Sequence, residues 1–452
     1  MAIVRRRLLF WLIKAYIKKS GKILALSFIL GLIIFIALIY GSRYLHNFIS
    51  VSKKVSIGLV GSYTQDTLPP YVMNKLSQGL TTVDENGQVK PAIASSWNVS
   101  DAGKTYTFYI KPDAYFLNGK PITAETINYN FADVEIERPD KKTIVFKLKD
   151  PYAPFLISAS KHIFDKGFVG LGEYRIEDLK LNGNFVQSLT LVSRQNRFDV
   201  IHYQFYPSEE ALKMAYMMGE VTRAEGITAP TFKERNFSDF PNTKVEEVTN
   251  YSRLVTLFFN TQDGTLSDKK FRLALTYAMP KTYTNGQKAF LPYSPNSPFY
   301  NKQLPEREQD FAHTKELLGS EQNASGSAAR TVTITTLKKY RPAAEEIAKT
   351  WREIGVETKI EETETVPTQF QAFLGDFTIP RDPDQYSLWH SDQGNNISRY
   401  KNLRIDKLLE DGRKITNVDE RKRIYADFQK YLMDDAPASF LYFPTEYQIV
   451  RK

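Results

Sequence analysis

Three features of the chain predict an α/β fold preceded by a transmembrane helix. Residues 331–362 read strand, helix, strand; alternating apolar and polar runs recur with Gly and Asp reversals between them; and residues 23–42 carry no charge. A strand–helix–strand unit lays its helix over a sheet, and twenty apolar residues of helix match the ~30 Å hydrocarbon core of a bilayer.

Of the 452 residues 42% are hydrophobic, 13% aromatic and 25% charged, which excludes a largely disordered protein. The net charge of +9 suggests nucleic acid until it is divided along the chain. The first 54 residues hold ten Lys and Arg and no acidic side chain, leaving fifty basic groups against fifty-one acidic ones in the other 398. A body so balanced lacks the basic excess of a nucleic-acid binder, so no such partner is expected.

The stretch ILALSFILGLIIFIALIYGS (23–42) follows seven basic side chains and precedes one, Arg43. The positive-inside rule then puts residues 1–22 in the cytoplasm and the body outside the plasma membrane on a single-pass signal anchor. A cleaved signal is the alternative; it has a shorter apolar region of ~7–15 residues and a small-x-small cleavage site, where this chain continues SRYLHNF. Residues 8–19, LLFWLIKAYIKK, suit an amphipathic helix along the inner surface. With no cysteine there is no disulfide, thiolate metal site, Cys nucleophile or acylated lipoprotein cysteine.

Beyond the anchor VSIGLV (55–60) is β-like. TTVDENGQVKPAI reverses at Asp84–Gly87, and SSWNVSDAGKTYTFYI forms a hairpin about Asp101-Ala102-Gly103. PITAETINYNF (121–131) predicts a short helix with Thr123 as N-cap, and KTIVFKLKD (142–150) a strand stopped by Pro151. SLTLVSR (188–194) and VIHYQFY (200–206) are strands. A helix from Ser208 aligns Ala211, Met214, Ala215 and Met218 on one face, with core packing the expected role of the methionines.

A second unit begins near Tyr251 with the apolar strand RLVTLFFN (253–260). A helix capped by Ser267 follows, with Phe271, Leu275 and Ala278 inward. Four prolines forbid regular structure in 291–306, and 319–330 reads as a surface loop. In the strand–helix–strand unit Pro342 and Gly355 bracket a helix whose buried stripe is Ile347, Ala348, Trp351 and Ile354. A helix over 419–437 turns Ile424, Phe428, Tyr431 and Leu432 inward, and SFLYFPTEYQIV (439–450) is an aromatic strand.

Residues 91–131 carry Trp97, Gly103, Tyr106, Phe108, Phe116, Gly119-Lys120-Pro121 and Thr123-Ala124-Glu125 in an order that resembles the family 5 extracellular solute-binding proteins, the peptide, oligopeptide and nickel receptors of ABC importers. DPYAPFL (150–156), GLGEY (170–174), FFNTQDGTLSDKKFRLALTYAM (258–279), IAKTWREIGVETKI (347–360) and the run 382–437 extend the likeness over nearly all of 55–452. The resemblance implies a two-lobed periplasmic-binding-protein-like fold of type II with hinge strands: lobe I from 55–255, lobe II from 256–438, and a return to lobe I over 439–452.

The resemblance also implies a ligand in the cleft, and the cleft candidates are Tyr63, Tyr71, Asn260, Arg381, Asp382, Tyr386, Trp389, His390, Asn395 and Asn396. Tyr and Trp offer flat walls with a polar tip, and Asn offers both donor and acceptor. Trp389 suits the core as well as the cleft, Asp382-Pro383-Asp384 suits a plain turn, and Asn395-Asn396 a loop cap. In peptide-binding members an Asp shortly before the Asp-Pro step clamps the ligand's α-amino group. Here Ile379 holds that position beside Arg381, whose guanidinium suits a carboxylate instead.

No His-Glu-x-x-His, Gly-x-Ser-x-Gly or Walker loop is present, and the five histidines stand far apart. Ser-x-x-Lys occurs at Ser50 and Ser267 without the companion motifs of penicillin-binding enzymes. The expected activity is therefore reversible binding, without cofactor or metal: a monomeric receptor captures a peptide or another small polar solute and passes it to an ABC permease. An envelope sensor or scaffold that kept the fold is the alternative reading, ahead of a hydrolase.

Overall fold

A computed structural model describes residues 11, 14–16, 18–22, 25–36, 53–84, 87–322 and 330–452. Residues 55–195 and 201–452 form one compact unit. Its first lobe opens with β1 (Lys53–Val60), α1 (Pro70–Leu76) and the hairpin β2 (Thr81–Val83) and β3 (Val89–Pro91). A four-stranded sheet follows, of β4 (Ala94–Ser100), β5 (Thr105–Ile110), β6 (Val134–Asp140) and β7 (Thr143–Leu148). After α2 (Phe155–Ser158) come β8 (Tyr174–Asn182), β9 (Phe185–Ser193), β10 (Asp199–Tyr206) and α3 (Glu209–Met218). The lobe ends with β11 (Arg223–Ile227), the short pair β12 (Thr231–Phe232) and β13 (Arg235–Asn236), and β14 (Thr243–Thr249).

The second lobe holds β15 (Arg253–Phe259), α4 (Lys269–Tyr277), β16 (Gly286–Lys288), α5 (Phe311–Gln322), β17 (Arg330–Leu337), α6 (Arg341–Glu353), β18 (Val356–Thr363) and β19 (Ala372–Thr378). Helices α7 (Tyr386–Trp389), α8 (Leu403–Lys414) and α9 (Val418–Asp435) precede the last strand, β20 (Ala438–Arg451).

The two lobes share β20. Its first half pairs antiparallel with β15, from Phe258↔Ala438 to Val255↔Tyr442, and its second half pairs with β14, from Thr249↔Thr445 to Thr243↔Arg451. The predicted return to lobe I at 439 thus falls inside the stretch still paired with β15, and the strand changes partners at Pro444. The turn 250–252 between β14 and β15 is the second crossing, tied to β20 by Asn250 N–H donating to the Pro444 carbonyl at 2.9 Å. Around these crossings the sheet runs β18-β17-β19-β15-β20-β11-β1-β10-β9-β8.

β15 is buried on both faces from Leu254 onward, which is why it reads as an apolar run interrupted by Thr256 alone. Val255, Leu257 and Phe259 pack with Leu275, Val332 and Trp351, while Leu254 and Phe258 meet Phe373, Trp389, Tyr425 and Phe428 on the other side. The parallel pair β17–β18 with its crossover helix matches the sequence reading, as do the β2–β3 and β4–β5 hairpins.

Several expectations are corrected. Residues 121–131 form no helix: one turn at 124–126 is closed by the Thr126 hydroxyl on the Thr123 carbonyl at 2.9 Å, and the chain then extends. Tyr129 explains the extension, since its hydroxyl meets the carbonyls of Ala159 and Lys161 at 2.8 and 2.6 Å. Helix α3 is rotated from the predicted face: Leu212, Ala215 and Tyr216 are buried, and Met214 and Met218 are 46% and 64% exposed. The reason is Lys213, whose buried stem carries its ammonium to Glu209 at 2.8 Å. Asp268 rather than Ser267 caps α4, accepting from the backbone of Lys270 and Phe271. Helix α5 extends into the predicted loop 319–330, of which residues 323–329 lie outside the described residues.

Of the apolar stretch 23–42, residues 25–36 are described, and they are helical with exposed side chains; the rest of the stretch and parts of 8–19 lie outside the described residues. Among the described residues no helix is long and apolar enough to cross a membrane.

Candidate functional site

Helix α1 begins at Pro70, where a missing N–H costs nothing. Val72, Met73 and Leu76 face the lobe I core, which leaves Tyr71 and Asn74, three residues apart, on the open side. Two glycines of the GLGEY segment fix the end of this helix. A Cβ at Gly170 would stand 2.0 Å from the Leu76 carbonyl oxygen and one at Gly172 2.1 Å from that of Lys75, and Gly172 N–H donates to the Leu76 carbonyl at 2.8 Å.

Facing α1, the second lobe presents Ile379, Pro380, Arg381 and Pro383 after β19, the crossing at Tyr251-Ser252 and the loop 293–297. Together with Val83, Asp84 and Gly87 of the β2–β3 hairpin they enclose a chamber of about 460 Å³. A neighbouring chamber of about 410 Å³ runs over Thr81 and Thr82 to Lys161, His162 and Phe164. Asn74, Val83 and Arg381 line both. Each volume lies in the ~300–1,000 Å³ range of small-molecule sites.

His162 places its Nε2 2.7 Å from Asn74 Oδ1. Burial, and then the positive charge of Arg381, push its pKa down to about 4, so the imidazole is neutral at ordinary pH and donates from Nε2. Asp84 is held by Lys90 Nζ at 2.7 Å and by the Gln88 backbone N–H at 2.9 Å. Behind Tyr71, burial raises the pKa of Glu225 against the opposing pull of Arg223 at 2.8 Å. The Tyr71 hydroxyl points to that carboxylate at 3.5 Å.

Of the ten residues predicted for the cleft, Tyr71 and Arg381 line the chambers. The others are placed elsewhere, for identifiable reasons. Asp382 is buried and held by both arms of Arg421, at 2.7 and 3.2 Å. Trp389, 1% exposed, donates to Gln385 Oε1 at 2.8 Å and packs against Phe258 and Phe440. Asn260 is buried and donates to the Phe370 carbonyl at 2.9 Å; buried Asn396 braces the backbone of His390 and Tyr400. His390 is buried beside Glu410 at 3.4 Å.

Tyr63 turns back onto its own strand, donating to the Val60 carbonyl at 3.0 Å with its ring edge on Phe205. Asn395 is exposed outside both chambers. Tyr386 stacks on His390 and lines a separate groove of about 720 Å³ with Tyr152, Glu410 and Arg413. Of the three cations that line that groove, Lys149, Arg413 and Lys414, Arg413 is paired with Asp384 at 3.0 Å.

Asn74, Asp84, His162, Tyr251 and Tyr293 were not singled out from the sequence as ligand contacts. They come from separate elements, and no local motif joins them. Among the described residues no group of three His, Asp or Glu side chains comes together to hold a metal.

The fold and the chain have relatives. The Bacillus subtilis oligopeptide-binding protein AppA is 24% identical over 527 aligned positions, covering 95% of this chain and 94% of that one. The Listeria monocytogenes ABC transporter substrate-binding protein CtaP superposes with a TM-score of 0.72 at 21% identity, over 88% of this chain and 94% of its own. The structure of AppA in complex with a nonapeptide superposes at 0.64 with 21% identity, over 88% and 95%. These likenesses establish the two-lobed α/β fold. The sequence profile of the bacterial extracellular solute-binding proteins, family 5 Middle, matches residues 88–398, and this chain belongs to that family.

Proposed function

We propose that the protein captures a short peptide or similar small polar solute in the chambers between its lobes and delivers it to an ABC permease, without chemistry of its own. The observation that carries this reading is the position of the chambers: both lobes wall them, and the chain crosses between the lobes beside them at 250–252 and at Pro444. A ligand touching both walls favours the closed arrangement by its differential contacts. AppA, solved with a nonapeptide, supports the peptide class.

The N-terminal segment supports a membrane anchor in this proposal. Residues 25–36 are helical with no charged side chain, and Leu26 and Phe28 are each 72% exposed, surface that a bilayer would cover. Tethering the receptor raises its effective concentration at a permease in the same membrane.

The test is a thermal-shift screen of the full chain in detergent against short peptides, amino acids, oligosaccharides, haem and nickel. A specific binder at 100 times its Kd adds ~2.7 kcal/mol of stability. Peptides are expected to raise the midpoint. A midpoint unmoved by every class favours instead an envelope sensor or scaffold that has kept the fold.

A further inference from the structure

Two charged side chains line the 460 Å³ chamber, Asp84 and Arg381. Asp84 is neutralised by Lys90. Arg381 is exposed, belongs to both chambers, and has no carboxylate within ion-pair distance among the described residues. Much of the polar wall is already occupied within the fold. The Tyr293 hydroxyl donates to the Pro383 carbonyl and that of Tyr251 to Gln287, each at 2.6 Å, and the Ser252 hydroxyl donates to Asn250 at 2.6 Å.

Asn74 keeps a donor for a ligand. Its Oδ1 is taken by neutral His162, which leaves the amide NH2 as its donor, and Asn74 lines both chambers with Arg381. Ile379, Pro380, Val83 and the tyrosine rings supply the apolar remainder. A guanidinium fork matches the two oxygens of a carboxylate, whereas an ammonium group would find no free carboxylate among the described residues of this chamber; Asp66 lies in the neighbouring one, together with the cation Lys161.

We infer that Arg381 determines specificity in the 460 Å³ chamber, and that the solute is held there by its carboxylate rather than by an ammonium group. This rests on the solute-capture reading above and names the chemistry of the solute.

Three matched pools of di- to hexapeptides test it by calorimetric titration of the full chain in detergent: unmodified, N-acetylated and C-terminally amidated, all with apolar side chains. The unmodified and acetylated pools are expected to bind alike, and amidation to weaken binding at least roughly tenfold. Arg381→Gln is expected to remove the preference for the acid while leaving the melting temperature of the unliganded protein unchanged, because the side chain is exposed and unpaired. Equal binding of the amidated pool, or full discrimination retained by Arg381→Gln, overturns the inference and leaves peptide capture standing. No binding by any pool overturns both.

Discussion

Asp382 and Arg421 form a buried, two-armed ion pair, with Arg421 Nη2 at 2.7 Å and Nη1 at 3.2 Å from the carboxylate. The guanidinium also donates from Nε to the Gly412 carbonyl at 2.9 Å, so one contact joins the 379–383 segment to α8 and α9. The Asp-Pro step is thus a fixed post, and Arg381, its neighbour, is the charged residue of this segment that lines the chambers.

Removing either partner of that pair strands a buried charge, so Asp382→Ala and Arg421→Ala are each expected to cost ~3–5 kcal/mol in urea unfolding. The double replacement should cost clearly less than the two single losses together. Strict additivity would show that the pair does not act as a unit.

Gly172→Ala puts a methyl group against the end of α1, with the Lys75 carbonyl oxygen 2.1 Å from the new carbon. Overpacking of this kind costs ~1–3 kcal/mol. Because the same helix carries Tyr71 and Asn74, solute affinity should fall together with stability. Undiminished affinity would mean that α1 does not position the site.

His162 makes stability depend on pH. Its folded pKa of about 4 lies below the ordinary 6.5, so the unfolded chain binds more protons between those values. Its contribution is complete above about 6.5 and is lost as pH falls toward about 4. His162→Gln should flatten that part of the stability profile. Since the charge of Arg381 is the second cause of the shift, Arg381→Gln should raise the imidazole pKa read by NMR, as should a bound carboxylate. An unchanged value in both cases would separate the two residues.

If residues 23–42 anchor the protein, it should resist alkaline carbonate extraction from membranes and become extractable when residues 1–54 are deleted. Release of the intact chain by carbonate would contradict the anchor.

The fold was legible wherever local pattern and tertiary demand agree. The β4–β5 hairpin alternates cleanly around a Gly turn, and β15 is apolar from Leu254 to Phe259 apart from Thr256 because both of its faces are covered. Other elements were hidden by tertiary causes. The strand β8 is broken by register shifts at Ile176/Asp178 and Lys180/Leu181, which scramble its alternation. Residues 121–131 carry a helix-start signal that the three hydrogen bonds of Tyr129 override. The exposed face of α3 follows from a buried lysine, a residue type that a hydrophobic pattern assigns to solvent.

Of the residues that the sequence offers for the cleft, Tyr71 and Arg381 line the candidate chambers. Trp389, Asn260 and Asn396 belong to residue types that serve a core or a backbone brace as readily as a ligand, and composition does not separate those roles. Asn74 and His162 lie 88 positions apart and meet only because the segment after α2 folds back toward α1.

The most direct test of the account is a crystal structure of the chain grown with the tightest-binding peptide pool. Solute density is expected in the chamber between Tyr71, Asn74 and Ile379, with a carboxylate oxygen ~2.7–2.9 Å from the Arg381 guanidinium. Density confined to the groove beside Tyr386 and Arg413, with the Arg381 chambers empty, would contradict it.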